Sequence, residues 1–159
     1  MTKRKVVLGL GNILNRDEGA GVYALKELEK ILPEEAKKKV ELVDGGVLGM
    51  DLLPYVEEAS HLLILDAVDS GAEPGEVVEY DSDEIELFYN GRISWHQLGF
   101  QEVLAVARVK EKFPDYVYLI GVQPADISVG VGLSPALKNS VKEMAERALR
   151  ILERWGLLA

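Results

Sequence analysis

The chain has 159 residues, with 18 Lys and Arg against 27 Asp and Glu, a formal net charge of −9 and no cysteine. That length suits one domain, residues 1–159, with room for a core of its own; lack of Cys excludes disulfides, zinc ribbons, iron–sulfur clusters and thiol nucleophiles. The acidic balance argues against nucleic acid or an anionic membrane as the main partner, since both select clustered Lys and Arg.

Taken in chain order, strands alternate with helices. The basic start Met1–Lys5 leads into Val6-Val7-Leu8, a short apolar run closed by Gly9 and Gly11. It is too short for a secretory signal and suits a buried strand. No run approaches the ~20 apolar residues that span a bilayer. The expectation is a cytoplasmic protein; few Asn and Gln beside many Lys and Glu hint at a heat-adapted source. Val22, Leu25, Leu28 and Ile31 predict a helix over 19–32, stopped by Pro33. A strand is expected at 40–43, ending in Asp44-Gly45-Gly46, then a short helix over 50–59 with Pro54 near its start. Leu62 to Leu65 reads as a strand ending at Asp66, and Val77 to Tyr80 as an edge strand.

Ser94-Trp95-His96-Gln97 has the form of a capping box, followed by a helix with Phe100, Val103, Leu104 and Ala107 on one face. Val117 to Val122 is a further strand. Ser134-Pro135 predicts the start of the last helix, with Leu137, Val141, Met144, Ala148, Ile151 and Trp155 as its stripe. This rhythm implies an α/β fold with helices on both faces of a mostly parallel twisted sheet of about five strands, a three-layer α/β/α sandwich. Ligands of such sheets bind beyond the carboxyl ends of the strands. There the sequence places Gly9-Leu10-Gly11-Asn12, Asp17-Glu18, Asp44-Gly45-Gly46, Asp66 and Gln123-Pro124.

Gly9-Leu10-Gly11 invites a dinucleotide reading. The fingerprint lacks its third small residue, since position 14 is Leu14, and Asp17-Glu18 would repel a pyrophosphate. A tight turn of the backbone is the preferred reading. Neither a phosphate loop nor a Gly-x-Ser-x-Gly elbow is present. Glu18, Asp66 and His96 make a better constellation. Between the two histidines, His61 starts a strand and reads as solvated or structural. His96 falls in a first helical turn, where the dipole disfavours the imidazolium and suits a neutral ligand. One imidazole and two carboxylates suit an open site for zinc or nickel. Each residue also has a structural reading: Asp17 and Glu18 as complements of a helix dipole, Asp66 as a loop-orienting acceptor, His96 as a capped surface residue.

At these residues the chain resembles the nickel–iron hydrogenase maturation endopeptidases. Gly9-Leu10-Gly11-Asn12-Ile13-Leu14 with Asp17-Glu18-Gly19-x-Gly21 is similar to their opening motif. Asp44-Gly45-Gly46 with Gly49-Met50-x-Leu52-Leu53, Asp66-Ala67-Val68, and Ser94-x-His96-Gln97-x-Gly99 resemble the next three. Gly121-Val122-Gln123-Pro124 and Gly132-Leu133-Ser134-Pro135 resemble the close. The resemblance covers nearly the whole chain. It departs at Val47, where the family often has Thr, and at Phe100, where Leu is common.

The resemblance implies an α/β/α endopeptidase, often grouped with aspartic peptidases, that clips a C-terminal extension from a hydrogenase large-subunit precursor after nickel insertion. It implies Glu18, Asp66 and His96 as metal ligands, with Asp44, Asp66 and Glu18 as candidate catalytic carboxylates. The nickel would come with the precursor, and cadmium or zinc could take its place. Other maturation factors are further candidate partners. Without Cys or a Ser elbow, direct attack by water is the remaining route, with the base unassigned. Two rivals stay open: a nickel-sensing chaperone without catalysis, and a nucleotide-binding α/β enzyme built on Gly9-Leu10-Gly11.

Overall fold

A computed structural model describes residues 4–85 and 98–157 of the chain. The first apolar run forms β1 (Arg4–Leu10), and its glycine-rich exit leads to a 3-10 turn (Arg16–Gly19) and α1 (Ala20–Ile31). Leu32 is already extended, as the residue before a proline must be, so Pro33 ends α1 where expected. A one-turn helix, α2 (Glu34–Lys37), leads to β2 (Glu41–Gly46).

The helix expected over 50–59 is split into a 3-10 turn (Gly49–Leu52) and α3 (Leu53–Glu58). Pro54 has no N–H to give the Met50 carbonyl, which instead accepts from Leu53, so the first turn tightens. Next come β3 (Ala59–Ala67), β4 (Val77–Tyr80), α4 (Leu98–Val109) and β5 (Tyr116–Val122). Ser134-Pro135 does not open the last helix. It begins a separate 3-10 turn (Pro135–Leu137), and α5 (Ser140–Arg154) starts later. The capping box at 94–97, including His96, lies outside the described residues.

The sheet order is β2-β1-β3-β5-β4, parallel throughout except for β4, which pairs antiparallel with β5 at one edge. Side chains alternate between two cores, as strand pleating requires. Val7, Leu63, Leu65 and Ile120 pack with Leu28 of α1 and Met144 of α5. Leu8, Leu62, Ile64 and Leu119 pack on the other face, with Val56 of α3 and Phe100 and Val103 of α4. Both faces are therefore covered, which explains why the central strands read as continuous apolar runs. The expected stripe of the last helix is buried from Leu137 to Ile151, with Trp155 partly so. Among the described residues no helix is long and apolar enough to cross a membrane.

Two glycines bring the first crossover onto the strand ends. Gly11 has φ +125, and a Cβ there would stand 1.8 Å from the Glu18 carbonyl oxygen. Gly21 lies so close to the sheet that a Cβ would stand 2.1 Å from the Leu65 carbonyl oxygen. The space over Gly11 is thus filled by the protein's own backbone. These glycines serve close packing of loop on strand, not the approach of a dinucleotide pyrophosphate.

Candidate active site

The loop after β1 holds two adjacent acids with different surroundings. Asp17 is fully buried (0% exposed), and its carboxylate accepts four hydrogen bonds. Its Oδ2 accepts from Ala125 N (2.9 Å), Asp126 N (3.0 Å) and Ser134 Oγ (2.7 Å), and its Oδ1 from Ser134 N (2.8 Å). Asp17 N–H in turn donates to the Asp126 carbonyl, and Arg16 N–H to that of Gly130. The loop after β5 therefore hangs on Asp17. This also explains the displaced helix start: the Ser134 hydroxyl serves Asp17 rather than capping a helix.

Glu18 is 3% exposed, yet its Oε2 has no hydrogen-bond partner among the described residues. A buried carboxylate oxygen without a donor is expensive unless a cation or donor arrives from outside the chain. Arg16, two positions before Glu18, sits at φ 47, a left-handed conformation that is strained for a side chain of this size. The tightly packed Gly21, three residues beyond Glu18, fixes this turn against the end of β3.

Asp66 is the second buried acid (2% exposed), near the end of β3 between β1 and β5. Its Oδ1 accepts from Ala67 N at 2.8 Å, which orients the carboxylate in the crevice. Glu18 and Asp66 are thus brought to the carboxyl ends of adjacent central strands. Asp44 is placed differently. It pairs in register with Gly9, which on its other side pairs with Leu65. One strand lies between the two aspartates, a separation of roughly 10 Å at the backbone from the ~4.8 Å strand spacing. They also face opposite ways: Asp44 alternates with Leu42 toward the α1 side, Asp66 with Ile64 toward α4. A carboxylate pair sharing one proton needs contact, which this register denies to Asp44 and Asp66.

His96 lies outside the described residues, two positions before α4. The helix it precedes covers the sheet face that Asp66 shares. Among the described residues no three His, Asp or Glu side chains cluster as a metal site, and the expected set has only two described members. His61 stands at the opposite end of β3. Its ring stacks on Tyr116 (4.6 Å between centroids), meets Trp155 edge-on, and its Nδ1 lies 2.8 Å from Ser60 Oγ. Burial, then the charge of Lys5, lowers its pKa from the usual 6.5.

Two residues that the sequence places at the strand ends prove to organise the loops there, a role the sequence did not reveal. Asp17 is the first. A signal was present: the Ser134 turn has Leu137 at the position where a capping box would have Glu or Gln, leaving the hydroxyl for another acceptor. Gln123 is the second. Its Oε1 accepts from Ser70 N and Ala72 N, and its Nε2 donates to Asp69. It ties the loop beyond Asp66 to the end of β5, so the two loops flanking Asp66 are each pinned by one buried polar side chain.

Comparison with known proteins agrees with this architecture. The family model described as hydrogenase maturation protease matches residues 22–151, a span that includes Asp44, Asp66 and His96 and begins just after Glu18. The hydrogenase expression/formation protein HupD of Bradyrhizobium diazoefficiens is 38% identical over 97% of this chain and 80% of its own length. The hydrogenase 2 maturation protease of Escherichia coli is 36% identical, covering 98% of this chain and 94% of its own. The solved structure of the hydrogenase maturating endopeptidase HybD from E. coli superposes with a TM-score of 0.87 at 36% identity, over 96% of this chain and 94% of that one. With its mostly parallel sheet and this breadth of match, the chain belongs to the hydrogenase maturation protease family.

Proposed function

We propose that this hydrolase removes the C-terminal extension of a nickel–iron hydrogenase large-subunit precursor, and that it reads the nickel already inserted there through Glu18, Asp66 and His96. The observation that carries the reading is the buried, unpartnered Oε2 of Glu18 at the strand ends beside Asp66. Such an atom fits a crevice completed by a cation that arrives with the substrate. Two carboxylates and one imidazole suit nickel and would also accept zinc or cadmium. The nickel would polarise groups near the scissile bond and fix the precursor's position.

The chain's own groups do the rest. No thiol is available, so water is the nucleophile. Its oxygen adds to the scissile carbonyl, a carboxylate takes the proton, and that proton passes to the departing amine. Asp66, oriented by Ala67 N, and Glu18 stand in the crevice for this role. Asp44 acts from the rim on the bound peptide rather than as half of an aspartic pair. The reading places the enzyme in the cytoplasm.

The test pairs nickel-loaded with nickel-free precursor and follows the mass of the large subunit. Loss of the extension from the loaded form alone is expected, and Glu18→Gln and His96→Ala should abolish it. Equal cleavage of both forms overturns nickel reading, and stable binding without mass loss would make the protein a chaperone.

A further inference from the structure

Ten large apolar side chains stand exposed among the described residues, and six of them lie in the three loops that surround the carboxylate crevice. Ile13 and Leu14 follow β1, Val47 and Leu48 follow β2, and Val129 and Val131 follow β5, the last two being 83% and 73% exposed. Such concentration is unusual, because exposed apolar residues normally scatter singly. Nor is the exposure a product of loose loops. Leu14 N–H donates to Asn12 Oδ1, and its carbonyl accepts from Gly130 N–H. Gly11 N–H donates to the Gly46 carbonyl, Leu48 N–H to that of Gly45, and Asn15 Nδ2 to that of Ile127. The three loops are laced to one another and hold their apolar side chains outward.

Their charge is one-sided. Segments 11–18, 44–51 and 123–134 contain Arg16 as their only cation, against Asp17, Glu18, Asp44, Asp51 and Asp126. Arg16 is itself engaged, its Nε 3.9 Å from Asp126 Oδ2. A second copy of this chain, with net charge −9, would bring an equally anionic rim against this one.

We propose that this rim docks the folded body of the precursor, through an apolar patch on that protein bordered by Lys and Arg. The proposal rests on the protease reading above and adds where the partner is gripped: three rigid loops seat the precursor, and the crevice between them meets its nickel and scissile segment. Apolar burial holds the complex, and the surrounding carboxylates select a basic border and orient it.

The experiment measures binding of purified nickel-loaded precursor to the full-length protein, and cleavage in parallel. The double variant Leu14→Ser, Val131→Ser should weaken binding at least tenfold and raise KM by a similar factor, with an unchanged thermal midpoint. Asp51→Lys, on the rim but outside the crevice, should also weaken binding and lessen its salt dependence. Val109→Ser, equally exposed at the end of α4, should change neither. Wild-type affinity in both rim variants overturns the proposal. So does self-association of the wild-type protein that the double variant abolishes, since a second copy would then be the occupant. If binding responds as expected while no precursor is ever shortened, docking stands and the protease reading falls.

Discussion

Replacing Asp17 by Asn exchanges one carboxylate oxygen for an NH2 with almost no change in volume, and it isolates the clamp on the loop after β5. The carboxylate accepts four hydrogen bonds, three at Oδ2 and one at Oδ1. An amide can offer its oxygen on only one side. Placed at the Oδ2 position it keeps three bonds, now without charge assistance, and turns an NH2 toward Ser134 N–H. The lost bond to a charged acceptor is worth about 1.5–3 kcal/mol, and a buried donor left facing a donor about 1–3 kcal/mol more. The expected destabilisation is therefore about 4 kcal/mol, a large share of the 5–15 kcal/mol typical of a domain. For a chain of this size that lowers the thermal midpoint by roughly 10 °C. Ser134→Ala removes one bond and leaves the carboxylate with three, so about 1–2 kcal/mol is expected. Urea titration with constant m-value, alongside calorimetry, measures both. A midpoint for Asp17→Asn within about 0.5 kcal/mol of wild type would show that the clamp is not carried by this carboxylate.

Glu18→Gln should have the opposite sign on stability: placing an amide where a buried carboxyl oxygen has no donor leaves the melting point equal or higher while precursor processing is lost, measured by calorimetry and large-subunit mass. His61 has a folded pKa below 6.5, so the folded state holds fewer protons than the unfolded one, and stability falls as pH drops from 6.5 through that value. His61→Phe keeps the stack on Tyr116 and should flatten this part of the pH dependence, read from urea midpoints at pH 7.5 and 5.5. Phe100→Ala, in the core between α4 and the sheet, should cost about 3–5 kcal/mol by chemical denaturation.

What was legible in the sequence is what local physics decides. The apolar runs of β1, β3 and β5 and the i, i+3, i+4 stripes of α1, α4 and α5 required no partner to be recognised. Pro33 ends α1 through a restriction on its own neighbour, again a local rule. Val77 to Tyr80 was readable as an edge strand, and it is β4 at the sheet's antiparallel edge. The failures share a cause. Ser134-Pro135 has the local form of a helix start, but its hydroxyl is taken by a carboxylate 117 positions earlier. The split at Pro54 follows from its missing N–H, a signal present in the sequence itself. The relation of Asp44 to Asp66 depends on register across β1, which no single segment encodes.

The neighbours Asp17 and Glu18 carry the division of labour that this fold needs. As a sequence they are two equivalent acids at a helix start, and a dipole argument treats them alike. In the folded chain they point into different surroundings. Asp17 turns its carboxylate onto four backbone and hydroxyl donors of a distant loop, so its charge is satisfied internally. Glu18 is held beside it, equally buried, with an oxygen to which the described chain offers nothing. The satisfied acid makes the unsatisfied one possible: without the clamp, the turn could relax and let Glu18 reach water, which would relieve its burial and disperse the site. The strain at Arg16 φ 47 fits the same view, since a relaxed turn would not need it. On the function proposed above, a carboxylate oxygen held buried and without a donor would favour a cation that comes with the substrate over one from solvent, which gives the proposed reading of the substrate before cutting its physical basis.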